Sequence, residues 1–566
     1  MKIKFKRFIF CAIFLLISLA IVFKVFMPIF VAKELIITYG IKPFDICQKN
    51  YKLWKLIKVL YIITFFFTNI LYSNYLFSKI KFKDKKNKEN ITEIEENNKL
   101  KMLIGYDIKT KEKIYLPESG LYQNFLITGT IGSGKTSSAM YPFTKQLLRN
   151  NFYNPKNKIG MLILDVKGNY YNQVKQYCEK YNLLEDLIVI ELGSNVTYNP
   201  LHKPDLKPTV LANRLKTILE LFSENNSESY WLDKAEQVLQ EAIKLCRLYN
   251  NGYVTFVELH KLITVPEYYK EKVVKLRELF ISSKLTNQEI YELSTSLDFF
   301  QKEFESLDQR TLSILKSEIT RITNIFISDY DVLKTFCPKE EELTFKGFYD
   351  VANNGKIVVL NMNIAEYKNL SKIIAAYLKL DFQTEIMMNL SKNKSRTTAF
   401  ICDEYAEYVT KNDCDFFSLS REAKCINIVS TQSYSSIKNT LKDETSVKVI
   451  CQNLINKIWF RTDDLFTIEE AQKQLGKEEK EKVSKNISES AKETKYNYFT
   501  GNLINKDSTI SESLNLYTQS DYVCDTNFFT QDLNVFNALC FLSDGRKILK
   551  PRKMGMYPYF LEEENN

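Results

Sequence analysis

The segment that most restricts the fold is residues 124–145, "NFLITGTIGSGKTSSAMYPFTK". Its apolar opening reads as a buried strand, and the stretch after Lys135 has helical character. Between them Gly129-Thr130-Ile131-Gly132-Ser133-Gly134-Lys135-Thr136 satisfies G-x-x-x-x-G-K-[ST]. A strand that turns through glycines into a helix brings loop N–H groups and the helix amino terminus together at one point, where phosphates bind. Gly129 and Gly134 let the chain bend where a Cβ would obstruct. The predicted binding set is Gly129, Thr130, Ile131, Gly132, Ser133, Gly134, Lys135, Thr136 and Ser137. Lys135 is expected to reach the β- and γ-phosphates and the Thr136 hydroxyl to ligate magnesium, so the implied cofactors are ATP and Mg²⁺.

Such a loop needs an acidic partner at the end of a nearby strand. "TTAFICDEYAEY" supplies one: apolar Ala399 to Cys402, then Asp403 and Glu404. Asp403 is placed to hold the magnesium shell and Glu404 to polarise an attacking water, which hydrolysis requires and simple binding does not. "NIVSTQS" ends another strand in Gln432, either a contact to the γ-phosphate or water or a plain turn residue. Arg421, just before that strand, could reach a neighbouring subunit's nucleotide or lie free on the surface. Other chemistries have little to draw on. The chain has two histidines, and its 11 cysteines include no CxxC pair, which argues against Ser-His catalysis, zinc clusters and a disulfide framework.

The remaining pattern predicts the layout. Residues 1–78 form a membrane anchor with apolar spans at about 8–32 and 53–78 and a short extracytoplasmic loop. Lysines before the first span and after the second place both ends in the cytoplasm, so the chain is expected at the cytoplasmic membrane as a multi-pass protein. Residues 79–101 are a charged linker. The nucleotide-binding domain begins over 102–207, where "NFLITG", "GMLILD" and "LIVIEL" read as strands of βαβ units. Three- and four-residue apolar spacing makes 208–336 an all-α domain, and strand signals resume over 337–566, with a mobile charged excursion at about 477–512. The predicted fold class is thus an α/β P-loop NTPase, RecA/FtsK-like with a mostly parallel sheet, carrying an inserted all-α domain and two N-terminal transmembrane helices. A formal charge of +10 permits an anionic partner without demanding one.

Two N-terminal spans, the phosphate loop, the helical insertion and the late Asp-Glu strand resemble the VirD4/TraG family of type IV secretion coupling proteins. "LILDVKGNYY" (Asp165, Lys167, Gly168) is similar to the family's D-x-K-G segment, and Asn199-Pro200-Leu201 to its Asn-Pro-Leu segment. "YWLDKAEQVLQEAI" resembles the start of its helical domain, "CDEYAEY" its acidic strand end and "STQSYSSI" its Gln-Ser motif. Asn169 and Val166 depart from residues common in the family. The resemblance implies a homo-hexameric ring ATPase that couples relaxase-bound DNA, held as a sequence-independent single strand, to type IV secretion channel components during conjugation. Two alternatives stand beside it: an ATP-switched docking receptor for secreted proteins, and an FtsK-like DNA translocase.

Overall fold

The computed structural model describes residues 100–561 apart from breaks at 166, 222–228, 283, 363, 393–395, 492–494, 497–502 and 505–507, together with residues 15–20, 56, 59 and 63–72. The chain divides into two compact units, Met1–Asn98 and Lys99–Asn566. In the first, the described residues are helical. Most of the two expected spans, and the expected linker, lie outside the described residues. Among those described, no helix is long and apolar enough to cross a membrane.

The second unit is built on an eleven-stranded mixed sheet. Its strands are β1 (Lys101–Asp107), β2 (Lys113–Pro117), β3 (Phe125–Thr128), β4 (Gly160–Leu164), β5 (Leu187–Ile190), β6 (Ile357–Leu360), β7 (Thr398–Cys402), β8 (Cys425–Thr431) and β9 (Asn456–Trp459). Two more, β14 (Asn537–Phe541) and β15 (Arg552–Gly555), follow a long ribbon described below. The order is β2-β1-β15-β14-β9-β3-β8-β7-β4-β6-β5. Strands β9 to β5 in that order run parallel, and the other four join antiparallel at one edge. Every residue of β3, β4, β6, β7 and β8 is buried, which explains why their sequences are continuous apolar runs with no alternation. One face packs beneath α1 (Tyr141–Tyr153) and α2 (Tyr170–Lys180), through Phe143, Leu147, Leu148, Val174 and Tyr177.

Between β5 and β6 the chain leaves the sheet. The long helices of this excursion are α3 (Pro208–Leu221), α4 (Ser229–Tyr249), α5 (Phe256–Thr264), α6 (Pro266–Ile281), α7 (Asn287–Asp298), α8 (Gln309–Ile327) and α9 (Tyr330–Phe336). Their starts are chemically marked. Thr255, Asp308 and Asp329 cap α5, α8 and α9, and Thr286 with Glu289 forms a capping box on α7. The two ends of the excursion lie side by side: Tyr198 bridges Phe345, and Phe345 N–H donates to Thr197 O at 2.9 Å. An inserted unit can grow there without stretching the sheet. Beyond it, α10 (Asn369–Ser391) is buried along most of its length between the insertion and the sheet. Further on come α11 (Asn412–Leu419), α12 (Tyr434–Leu441) and α13 (Leu465–Leu475).

The charged stretch from about 477 to 512 does not run as irregular chain. β10 (Lys477–Ala491) pairs antiparallel with β13 (Ser508–Tyr522) over their full lengths, with a short pair, β11 (Lys495–Tyr496) and β12 (Leu503–Ile504), near the tip. Val483 and Leu514 are 62% and 65% exposed. Consecutive exposed residues at 477–479 and 517–520 put both faces of the described base of the ribbon in water, and such a ribbon needs no apolar alternation to mark it as a strand.

Candidate nucleotide site

The glycine loop leaves the carboxyl end of β3, and its neighbours on both sides hold it. Gly129 N–H donates to Gln432 O, just beyond β8, at 3.2 Å, and Thr130 N–H donates to Arg461 O, just beyond β9, at 2.8 Å. Ser133 is buried, with its hydroxyl on Thr130 O at 2.8 Å, while Ile131 is 79% exposed at the loop tip. Two glycines are obligatory on conformation. Gly132 sits at φ +77° and Gly134 at φ +101°, and a Cβ on Gly134 would lie 2.6 Å from the Phe536 ring. A wide π turn over Thr136–Met140 then delivers the chain into α1. Ser137 and Ser138 turn their hydroxyls back onto Gly134 O at 3.3 and 2.7 Å.

Lys135 is buried, and its ammonium folds back on the loop, donating to Gly129 O at 2.6 Å and Thr130 O at 3.3 Å. Burial pulls its pKa down, and the carboxylates of Glu404 and Asp403 partly restore it. The Thr136 hydroxyl donates to Asp403 Oδ2 at 2.8 Å, and Ser430 on β8 donates to Asp403 Oδ1. Asp403 is itself buried at the end of β7, with its N–H on Leu164 O at 3.0 Å. The strand order explains the meeting: β8 separates β3 from β7, so loop and carboxylate face each other across one strand.

Glu404 follows in left-handed backbone, φ +51° and ψ +48°, a conformation unusual for a residue with a side chain. Its carboxylate takes a 3.4 Å ion pair from Lys167. Burial works against the charge on Lys167, but Asp403 and Glu404 outweigh it and raise its pKa. Asp165, at the end of β4, accepts the backbone N–H groups of Lys167, Asn169 and Tyr170 at 3.1, 3.1 and 3.2 Å. It therefore shapes the turn into α2. Burial raises its pKa, against the pull of those N–H groups.

Gln432 comes to the same sheet edge, main chain bonded to the loop and side chain exposed. Arg421 does not. It precedes β8, whose seven residues span about 23 Å at ~3.3 Å each, so it sits at the opposite edge of the sheet, exposed, near Gly545 O at 3.4 Å. Two contributors escape sequence reasoning. Ser430 was legible only as a polar residue inside a doubly buried strand. Phe536 had no signal: it lies about 400 residues beyond Gly134, yet its ring covers that glycine and its N–H donates to Ser133 O at 3.2 Å.

Fold and site together define a protein of P-loop NTPase-like fold carrying a helical insertion. The sequence matches the type IV secretion-system coupling protein DNA-binding domain over residues 111–514, more than half of its length. The chain belongs to that coupling protein family, and its function is the family's: coupling DNA transfer to type IV secretion. No curated protein matches the sequence. Among solved structures, it is similar to the plasmid coupling protein TrwB in complex with ADP and Mg²⁺, at a TM-score of 0.52 and 12% identity, covering 81% of this chain and 93% of that one. It is likewise similar to TrwB in complex with the non-hydrolysable GTP analogue GDPNP, at a TM-score of 0.51 and 13% identity, covering 81% and 95%. At these identities the likeness establishes a common fold.

Proposed function

We propose that the chain is a membrane-anchored ATPase that draws relaxase-bound DNA, as a single strand and without regard to sequence, into a type IV secretion channel as a homo-hexameric ring. The observation that carries the ATPase reading is the convergence of Thr136 and Asp403 at 2.8 Å beside Lys135 and Glu404. TrwB's complex with ADP and Mg²⁺ supports the same cofactors here.

The residues fit a nucleotide. Glycines at φ +77° and +101° leave a cradle without Cβ atoms, and the Lys135 ammonium rests on loop carbonyls it can exchange for phosphate oxygens. Gly129 to Ser137 would bind the phosphates, while Thr136 and Asp403 would hold Mg²⁺, which when bound supplies charge neutralisation at the phosphates. Glu404 orients and deprotonates the attacking water, and Lys167 keeps that carboxylate in place between turnovers. Gln432, exposed at the same sheet edge with its carbonyl bonded to the loop, would contact the γ-phosphate or the attacking water. Arg421, remote from its own subunit's site, serves only if a neighbouring subunit brings it a nucleotide. The mostly parallel sheet supports reading the domain as a RecA/FtsK-like motor, and the span at about 8–32 with that at about 53–78 would anchor it in the cytoplasmic membrane. Strand movement along such a ring would rest on phosphate contacts and weaken with salt.

The test is ATP turnover with and without single-stranded DNA. Turnover should rise with DNA and vanish in both Lys135→Ala and Glu404→Gln, with Glu404→Gln still binding nucleotide. Turnover indifferent to DNA would overturn the translocation reading, and normal DNA transfer by Glu404→Gln would favour the docking receptor.

A further inference from the structure

The left-handed backbone at Glu404 is a strained state that persists only where its surroundings over-determine it. One side is held by Asp403, bonded to Thr136, Ser430 and Leu164. The other is held by a buried ion pair outside the nucleotide site. Asp413, at the start of α11, accepts the Tyr405 hydroxyl at 2.6 Å and the Thr410 N–H at 2.9 Å on Oδ2, and the Gln383 amide at 2.8 Å on Oδ1. Lys379, on α10, donates to Asp413 Oδ2 at 2.6 Å, Tyr408 O at 2.6 Å and Thr410 Oγ1 at 3.1 Å. Both side chains of the pair are wholly buried, and all three ammonium protons have acceptors.

A buried pair is weak evidence for stability, because apolar residues of similar volume often serve the fold as well. Its contacts here are confined to a few residues: those outside the pair and Gln383 go to Tyr405, Tyr408 and Thr410, all in the short segment that follows Glu404. Thr440 adds one more, donating to Ala406 O at 2.9 Å. Nothing in this set touches the glycine loop or Lys135.

We propose that Lys379 and Asp413, acting through Tyr405, are positioning residues that hold the Glu404 carboxylate in its hydrolytic orientation. This rests on the ATPase reading above. It separates binding from hydrolysis: disturbing the pair should lower kcat and leave nucleotide affinity alone.

The test uses the full chain. Tyr405→Phe removes one hydroxyl bond from Asp413 with little loss of volume, and should lower kcat about tenfold, with fluorescent ADP affinity within about twofold of wild type. The double variant Lys379→Met/Asp413→Leu, which keeps the site filled and uncharged, should fold and show the same split. Asp381→Asn, which disturbs another buried pair on the same helix, should lower stability with kcat retained. The decisive readout is a double-mutant cycle with Glu404→Asp, which keeps a carboxylate and a residual rate. Tyr405→Phe should cost little further in that background, because the carboxylate it positions is already displaced. Equal cost in both backgrounds, an unchanged kcat, or affinity falling in step with kcat would overturn the proposal. A wild-type chain that hydrolyses no ATP would instead overturn the ATPase reading, and the proposal with it.

Discussion

Replacing Gly134 with alanine tests whether the loop's shape is set by the chain that closes over it. Two costs can be worked from the structure. At φ +101° an L-residue is strained by roughly 1–3 kcal/mol. The new Cβ would also lie 2.6 Å from Phe536 Cδ1 and 3.3 Å from Phe536 N, and relieving such overpacking costs about 1–3 kcal/mol. Phe536 has little freedom to yield. It is itself left-handed at φ +63°, donates to Ser133 O at 3.2 Å and accepts from Met556 N–H at 2.8 Å. The distortion therefore falls on the loop, and nucleotide binding bears it. A central cost of about 4 kcal/mol weakens fluorescent ADP binding by roughly a thousandfold, while thermal unfolding of the rest of the domain changes little. Gly134→Ala/Phe536→Ala should recover the clash component and leave the backbone component, so it should bind about thirtyfold better than the single variant. Affinity within threefold of wild type in Gly134→Ala, or no recovery in the double variant, would refute the reasoning.

Other consequences concern buried charge. Asp381 holds Lys203 at 2.6 Å and Arg214 at 2.8 Å where the insertion meets α10, so Asp381→Asn strands two cations and should cost about 3–5 kcal/mol in urea unfolding at pH 7. Burial opposes the charge on Asp381, but Lys203 and Arg214 hold its pKa below the usual carboxylate range. A depressed folded pKa stabilises above the unfolded value near 4, so the gap between wild type and Asp381→Asn should close as pH falls below about 4. Lys457 is the opposite case: burial pulls its pKa down to about 8. The unfolded chain then binds the extra proton between about pH 8 and 10.5, so wild-type stability relative to Lys457→Met should rise across that window, measurable by denaturant titration.

The parts of the site visible in the sequence are those whose chemistry is local. Gly129 to Thr136 form one loop, and any chain with that spacing after an apolar strand can turn the same way. Asp403 and Glu404 were legible because a doubly buried strand must end in polar residues at the sheet edge, and the spacing of carboxylate to strand is fixed. Lys167 was visible as part of a segment but not as Glu404's partner, since the 237 positions that separate them span the insertion. The ribbon of β10 and β13 was missed for the reason given by its exposure, and Arg421 was placed in the candidate set because distance along the chain says nothing about which edge of a sheet a residue occupies.

The sequence alone therefore determined that this chain has a glycine loop between strand and helix, an acidic strand end and a helical excursion, because each is written in contiguous residues obeying short-range geometry. Only the tertiary structure decided which strand stands between β3 and β7, that Ser430 meets Asp403, that Phe536 covers Gly134 and that Lys379 reaches the chain beyond Glu404. Those contacts join residues far apart in the chain, and their formation is set by how the sheet orders its strands and what the core can bury.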